Sequence, residues 1–386
     1  MDHESRTHTS PVGRIISLDV MRGVVMVLMA LDHVRVYSGI PAGGPTPGVF
    51  FTRWITHFCA PAFVFFAGTA AFLHGRKLGN KSALARYLIT RGIFLVILEL
   101  TVIRFAWSFS FNYGSFALAG VIWMLGWCMI LLAALIWLPN WLIAALGLVI
   151  VLFQNVFGLV PRLMPNGLRN SAGWLWEFVY PGGLNPPEFL NILYVLVPWI
   201  GVMALGYAFG AIMNREPAER NKICLRIGLT ATALFLVFGT LLVFLESPAE
   251  QAPPAFIRLL NQEKYPASQL FLLMTLGPTI ALVPVAERAH GWLGNVLSIF
   301  GRVPLFYYLI HIPLIHVVAL IVWYLRDGTT HSDAFVTAPY VWMPDHRWSL
   351  PLLYLVWLIV IVLLYFPCRW FAGIKARHRK RWLSYL

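Results

Sequence analysis

Long apolar runs alternate with short polar connectors along this chain, and the runs have the length of membrane helices. Ten of them lie near residues 15–37, 51–74, 85–107, 114–137, 141–160, 188–213, 223–245, 267–286, 304–325 and 349–371. Each approaches or exceeds the roughly 20 residues a helix needs to cross a hydrocarbon core of ~30 Å. Clusters of Pro, Gly and charge punctuate them: GIPAGGPTPG follows the first run, MNREPAERNK the sixth and ESPAEQAPP the seventh. No internal repeat is visible, so an inverted-repeat transporter finds no support in the pattern. The predicted fold is all-α, a polytopic bundle of about ten transmembrane helices. It fills residues 14–371, between a polar tail at 1–13 and a basic tail at 372–386.

Composition removes the soluble alternatives. Hydrophobic residues make up 59% of the chain and charged residues 12%, with a mean hydropathy of +0.73. That charged share is about half of what a soluble domain carries. Disorder, coiled coil and a secreted disulfide scaffold fail on the same numbers. Cys59, Cys128, Cys224 and Cys368 all lie in or beside apolar runs and form no CxxC pair, which argues against a disulfide framework and a thiolate metal site. The first apolar run carries Asp19 and Arg22, which argues for a retained membrane helix and against a cleavable signal peptide.

The net charge of +13 belongs to the connectors. No basic face is interleaved with stacking aromatics, so nucleic acid is not an expected partner, whereas membrane lipid is. With both termini placed in the cytoplasm, 19 Lys and Arg fall on the cytoplasmic side and 9 outside, the bias of the positive-inside rule. Loops 161–187, 246–266 and 326–348 then face outward.

Charged side chains inside spans cost roughly 2.5–3.5 kcal/mol each on insertion scales, so each needs a reason. On the first span Arg22 and His33 stand eleven residues apart, which misses three full helical turns by only about 20°. Met26 and Met29 share that stripe, and the rise from Arg22 to His33 is roughly 16 Å. One reading makes this face functional. The other pairs Asp19 with Arg22 and lets His33 hydrogen-bond a neighbouring helix, and the spacing alone favours neither. Asp32 points about 100° away from His33 and is not expected to orient it. His57, on the second span, is expected at a similar depth, as a second catalytic candidate or as a partner for backbone freed by Pro61. Glu99 and Arg104 are five residues apart and poorly placed for mutual pairing, so Glu99 is expected to balance Arg35, Arg53 or His33. His311 and His316 flank Pro313 and are read as serving the backbone defect it leaves. They are spaced wrongly for a metal site, and none is expected. Phosphate-cradling Gly loops, GxSxG and HExxH are all missing.

The segment SLDVMRGVVMVLMALDH resembles the opening helix of the integral-membrane acyltransferase superfamily, in which an Arg-Gly pair precedes, by ten residues from the Gly, a histidine essential for transfer. In this chain that position is His33. RWITHFCAPAFVFFAG, LYVLVPWIGVMALGYAFG, KYPASQLFLLMTLG and GRVPLFYYLIHIPLIH are similar to bacterial relatives of the heparan-α-glucosaminide N-acetyltransferase catalytic domain, in the same order. The resemblance covers about residues 14 to 371. It has a departure: the lysosomal enzyme carries Asn at the place of His33 and its catalytic His in the next loop, whereas this chain has no histidine between Tyr37 and Thr56.

What the resemblance implies is transfer of an acetyl or similar acyl group from cytoplasmic acyl-CoA (acetyl-CoA) to a sugar or glycan at the outer face of a bacterial inner membrane. The residues fit that chemistry. Arg22, Arg86, Arg91 and Arg302 are candidate partners for CoA phosphates, and the acyl arm is expected to follow Met26 and Met29. His33 is the expected general base, with His57, Asp32 and Glu99 as further catalytic candidates. A permease for a lipid-linked or small anionic substrate would also want buried histidines and helix-breaking prolines, and is the competing reading.

Overall fold

A computed structural model of the chain describes residues 15–43, 46–246, 252–336 and 344–378. The expected polar tail at 1–13, and Arg379, Lys380 and Arg381 of the basic tail, lie outside the described residues. Helix accounts for 77% of the chain, and the only sheet among the described residues has two strands, so the fold is all-α.

Helix α1 runs Ile16–Tyr37, with Asp19 in its first turn and Arg35 in its last, as the helix dipole favours. Thr46 caps α2 (Pro47–Ile55), whose Pro47 occupies a first-turn position where no backbone donor is lost. A 3₁₀ turn over Thr56–Phe58 leads into α3 (Cys59–Leu78), which ends at Gly79 with φ +64°. Asn80 caps α4 (Lys81–Leu98). A π-helical turn at Glu99–Ile103 joins α4 to α5 (Arg104–Ser108), re-aiming the side chains that follow it. Strand β1 (Ala117–Ala119) precedes α6 (Val121–Leu135) and α7 (Asn140–Leu152).

The short helices α8 (Val160–Leu163) and α9 (Asn166–Ala172) lead to β2 (Leu190–Ile192), which pairs parallel with β1. Then come α10 (Trp199–Met213), α11 (Pro217–Leu245), α12 (Ala255–Leu260), α13 (Gln269–Ala281) and α14 (Val283–Glu287). Helices α15 (Trp292–Arg302), α16 (Pro304–Asp327) and α17 (Leu350–Arg377) complete the chain.

Each expected span contains a helix, but among the described residues five helices are long and apolar enough to cross a membrane unaided, and a sixth if α7 and its 59° continuation count as one. The others depart for physical reasons. Helix α1 carries four charges, Asp19, Arg22, Asp32 and Arg35, within its 22 residues. Helices α6 and α10 have 15 residues each. The run expected to be helical from 188 starts its helix only at Trp199, because Pro187 and Pro198 interrupt it and β2 takes its first residues.

Helix α15 falls where the sequence suggested a connector. Its 11 residues are too few to read as a span, yet they pack along α1 at backbone distance. A Cβ on Gly23 would collide with the Leu297 carbonyl, and one on Gly301 with that of Asp19. Gly68 and Gly206 let α3 and α10 meet in the same way. Such small-residue contacts are how membrane helices gain packing when lipid is as apolar as their side chains. Helices α11 and α17 form the periphery, with 17% and 22% of their apolar windows buried against 67% for the α2–α3 span. Helix α1 is central, packed on α3, α14, α15, α16 and α17.

Candidate active site

Two cavities lie along α1, one near each end. The first, of about 570 Å³, is lined by Arg22 of α1, Lys77 of α3, Arg91 of α4, Arg302 of α15 and Lys375 of α17. Asp19 is the single carboxylate on its wall among the described residues, and His74 and Tyr87 face it too. Arg22 Nη2 donates to the Phe66 carbonyl at 2.8 Å, and Arg91 Nη1 donates to the Tyr87 hydroxyl at 2.9 Å. Both guanidiniums are thereby held in place on the cavity wall. Arg86 is exposed and does not line this cavity. Five residues from Arg91 it lies about 140° around α4, whereas Tyr87, four residues away, shares the Arg91 face.

The second cavity, of about 510 Å³, is lined by Asp32, His33, Arg35, Arg53, Glu99, Trp107, Tyr194, Lys264, Tyr265 and residues of β1 and β2's C-terminal edge, among others. Tyr308 and Val121 line both cavities and so form the partition between them. Met26 and Met29 are buried and line neither, so the methionine stripe is core packing.

His33 is the ring that the second cavity organises. Its Nδ1 lies 2.6 Å from His311 Nε2, across from α1 to α16. His311 Nδ1 lies 2.6 Å from the Tyr308 carbonyl oxygen and 3.2 Å from that of Tyr307. A carbonyl only accepts, so His311 Nδ1 carries the proton. In a neutral His311 the Nε2 then accepts, and His33 Nδ1–H donates to it. That fixes neutral His33 in the tautomer whose Nε2 lone pair is unprotonated, and Nε2 has no partner among the described residues. Trp107 meets the His33 ring edge-on at 4.9 Å and holds its plane. His311 is thus more than an answer to Pro313: it bonds the carbonyls of Tyr307 and Tyr308, while Pro313 frees that of Leu309. His316, by contrast, is built into the packing. Its Nδ1 reaches the Ala106 carbonyl at 3.2 Å, and its ring stacks on Phe109 at 4.0 Å.

The other three catalytic candidates separate. Asp32 is held by two guanidiniums, Arg35 Nε at 3.1 Å and Arg53 Nη1 at 3.1 Å, and forms no bond to His33. Glu99 was expected to balance a cation. Instead its Oε2 accepts from the backbone N–H groups of Ile122 at 2.9 Å and Trp123 at 3.1 Å. It caps α6 from another helix, because the N-terminal position of α6 is Gly120, which has no side chain to do so. A Cβ at Gly120 would stand 2.6 Å from Glu99 Oε1, so the glycine makes the approach possible. The partition residue Val121 is therefore positioned by Glu99. His57 is buried against Phe271, its Nδ1 without a hydrogen-bond partner, and lines neither cavity.

Arg104, also expected as part of a span's charge, is structural: it binds the carbonyls of Phe116, Ser110 and Asn112 and shapes the loop before β1. Lys264 escaped the sequence reading. It is 7% exposed, with its ammonium 5.1 Å from the Tyr265 ring centroid and 5.9 Å from that of Tyr194. The signal for it was the KYPASQL segment, where a lysine directly precedes an aromatic residue and a proline.

Together these features define a helical membrane protein with a cation-rich cavity and a histidine-bearing cavity back to back, an arrangement suited to group transfer between two ligands. The family model for heparan-alpha-glucosaminide N-acetyltransferase, catalytic, matches residues 14–247, and the chain belongs to that family. No curated protein matches the chain. Membership brings acetyltransferase activity in general, with acetyl-CoA as the family's donor. The matched residues carry His33, Asp32 and Glu99, while His311, Lys264 and Arg302 lie beyond them.

Proposed function

We propose that the protein transfers an acetyl group, or a similar acyl group, from acyl-CoA in the first cavity to a sugar or glycan in the second. The observation that carries this reading is the shared wall: Tyr308 and Val121 belong to both cavities, so a thioester at the end of one is adjacent to an acceptor in the other. Arg22, Arg91 and Arg302, with Lys77 and Lys375, suit the phosphates of CoA. His33 Nε2 accepts the proton of the acceptor hydroxyl or amine as that oxygen or nitrogen attacks the thioester carbonyl carbon. The C–S bond breaks, CoA leaves as the thiolate, and the proton held on His33 returns to sulfur or to solvent. His311 positions His33 and stabilises its protonated form.

In the membrane, the proposed arrangement has ten crossings with both termini in the cytoplasm and the first cavity opening there. Its support is the segregation of charge, since Lys77, Arg91, Arg302 and Lys375 fall on the side to which the basic bias assigns them. The acceptor then enters from outside, in a bacterial inner membrane. The test is release of CoA thiol by purified protein given acetyl-CoA, with and without glucosamine-terminated glycan acceptors. Acceptor-dependent thioester cleavage supports the proposal. A permease would bind or move its substrate and leave the thioester intact, and that result would refute transfer.

A further inference from the structure

A third constellation stands apart from both cavities, at the end of α16. Asp327 is the last residue of that helix, and Gly328, with φ +72°, turns the chain back. His331 then adopts φ +50°, a left-handed backbone that non-glycine residues seldom take and that persists only where the surroundings enforce it. The consequence is that its imidazole folds over α16, with Nε2 3.0 Å from Asp327 Oδ2. His346, from the short turn preceding α17, brings Nδ1 to 3.1 Å from the same oxygen. The three ligand atoms all lie within 4.8 Å of one another.

Two imidazole nitrogens and a carboxylate oxygen are the ligand set of zinc-type ions, which bind such groups at about 2.0–2.2 Å in tetrahedral sites. Tetrahedral donors at those lengths stand roughly 3.3–3.6 Å apart, so the observed 3.0 and 3.1 Å separations need open by only a few tenths of an ångström. Trp323, one turn before Asp327, packs edge-on against His331 at 5.1 Å and limits the ring's freedom. The side chain of His346 is 46% exposed, which leaves a path for the ion and room for water as a fourth ligand.

We propose that Asp327, His331 and His346 form a binding site for a divalent transition-metal ion of the zinc type. The site ties the end of α16 to the segment entering α17. That segment also holds α1: Trp348 N donates to the Ser38 carbonyl at 2.9 Å, just past the helix end that bears His33. The ion is a clip on this face and takes no part in acyl transfer. When it binds, each coordinating nitrogen offers its lone pair and the ring proton sits on the other nitrogen.

The test uses the untagged full chain in nanodiscs, stripped with chelator and titrated with Zn²⁺ by calorimetry, with Co²⁺ absorption as a second readout. One ion per chain is expected, with a four-coordinate Co²⁺ spectrum and a Zn²⁺-dependent rise in unfolding temperature, since a ligand bound only to the folded state stabilises it. Loss of one ligand should weaken affinity by about a hundredfold or more, at least the effect of losing an outer-shell partner. His346→Ala is the leading variant because its exposure makes misfolding improbable on packing grounds, and His331→Ala and Asp327→Asn accompany it. Equal Zn²⁺ binding by wild type and His346→Ala would identify an adventitious ion only, taken by other histidines, and overturn the site. So would the lack of any saturable binding, which would leave the three side chains as a hydrogen-bonded clamp.

Discussion

The two cavities along α1 are similar in size and opposite in electrostatic design. The first gathers five cations, Arg22, Lys77, Arg91, Arg302 and Lys375, around one carboxylate, Asp19. The second holds Arg35, Arg53 and Lys264, but Asp32 is bracketed by the two arginines and Glu99 is engaged by the start of α6. The first can therefore bind a polyanion through net charge, while the second presents oriented, mutually compensated polar groups and aromatic faces, as a neutral polyhydroxy ligand requires. In the proposed function, charge attracts the donor at one end, and hydrogen-bond geometry positions the acceptor at the other. Substitutions in the two cavities should accordingly fail in different ways.

The largest effect belongs to His33. His33→Gln keeps the ring's approximate volume but removes the base, and the turnover rate should fall about 10²–10⁴-fold, the usual contribution of general-base catalysis. Affinity for acetyl-CoA, measured by calorimetry, should be unchanged because the proposal places the donor's charged end in the other cavity. With wild type the rate should rise with pH as His33 loses its proton, and that limb should be missing from the residual activity of the variant. His57→Gln provides the contrast: equal amounts of folded protein should retain most activity. Reversal of the two outcomes would move the base to the second span.

Next in size is His311→Leu, which removes the acceptor that fixes the His33 tautomer while leaving His33 in place. Turnover should fall by about ten- to a hundredfold, the scale on which orienting partners act, with KM for the acceptor little altered. A loss confined to KM would mean that His311 shapes the acceptor pocket instead of positioning the base.

In the first cavity the signature is in binding. Arg22→Ala should weaken acetyl-CoA affinity by about 1.5–3 kcal/mol, the range for charged hydrogen bonds, or roughly ten- to a hundredfold. The salt dependence of binding should also become shallower, since one screened contact is gone. Turnover at saturating donor should hold. Unchanged affinity would make Arg22 a structural residue, held by its bond to the Phe66 carbonyl.

This contrast was legible in the sequence only in part. Arg22, His33 and their shared stripe follow from one helix and its 3.6-residue period, so local pattern sufficed. The Met26 and Met29 path did not survive, because a stripe reports a face and not what that face meets; here it meets packed neighbours. The His33–His311 pair joins residues 278 positions apart, and no periodicity encodes such a contact. Glu99 misled for a different reason: a buried carboxylate suggests a missing cation, yet its partners are backbone N–H groups that leave no trace in residue identity. Helix α15 was hidden by its length, and the metal-type cluster by the distance between Asp327 and His346, although Asp327 and His331 stand four apart in plain view.

The smallest predicted effect is also the sharpest test of where the first cavity's wall lies. The sequence treated Arg86 and Arg91 alike, as basic residues near one end of the same helix. The fold separates them by about 140°: Arg91 lines the cavity with Tyr87, and Arg86 faces outward. Arg91→Ala should thus weaken acetyl-CoA binding, since it removes one of the five cations that line the cavity. Arg86→Ala should change affinity by less than about twofold, as expected for a charge that contacts no ligand and is screened by salt. Calorimetric titration of both variants at one ionic strength distinguishes the cases. If Arg86→Ala costs as much as Arg91→Ala, then the donor's phosphates extend past the cavity mouth along the outer side of α4, and long-range charge rather than the lined wall governs donor binding.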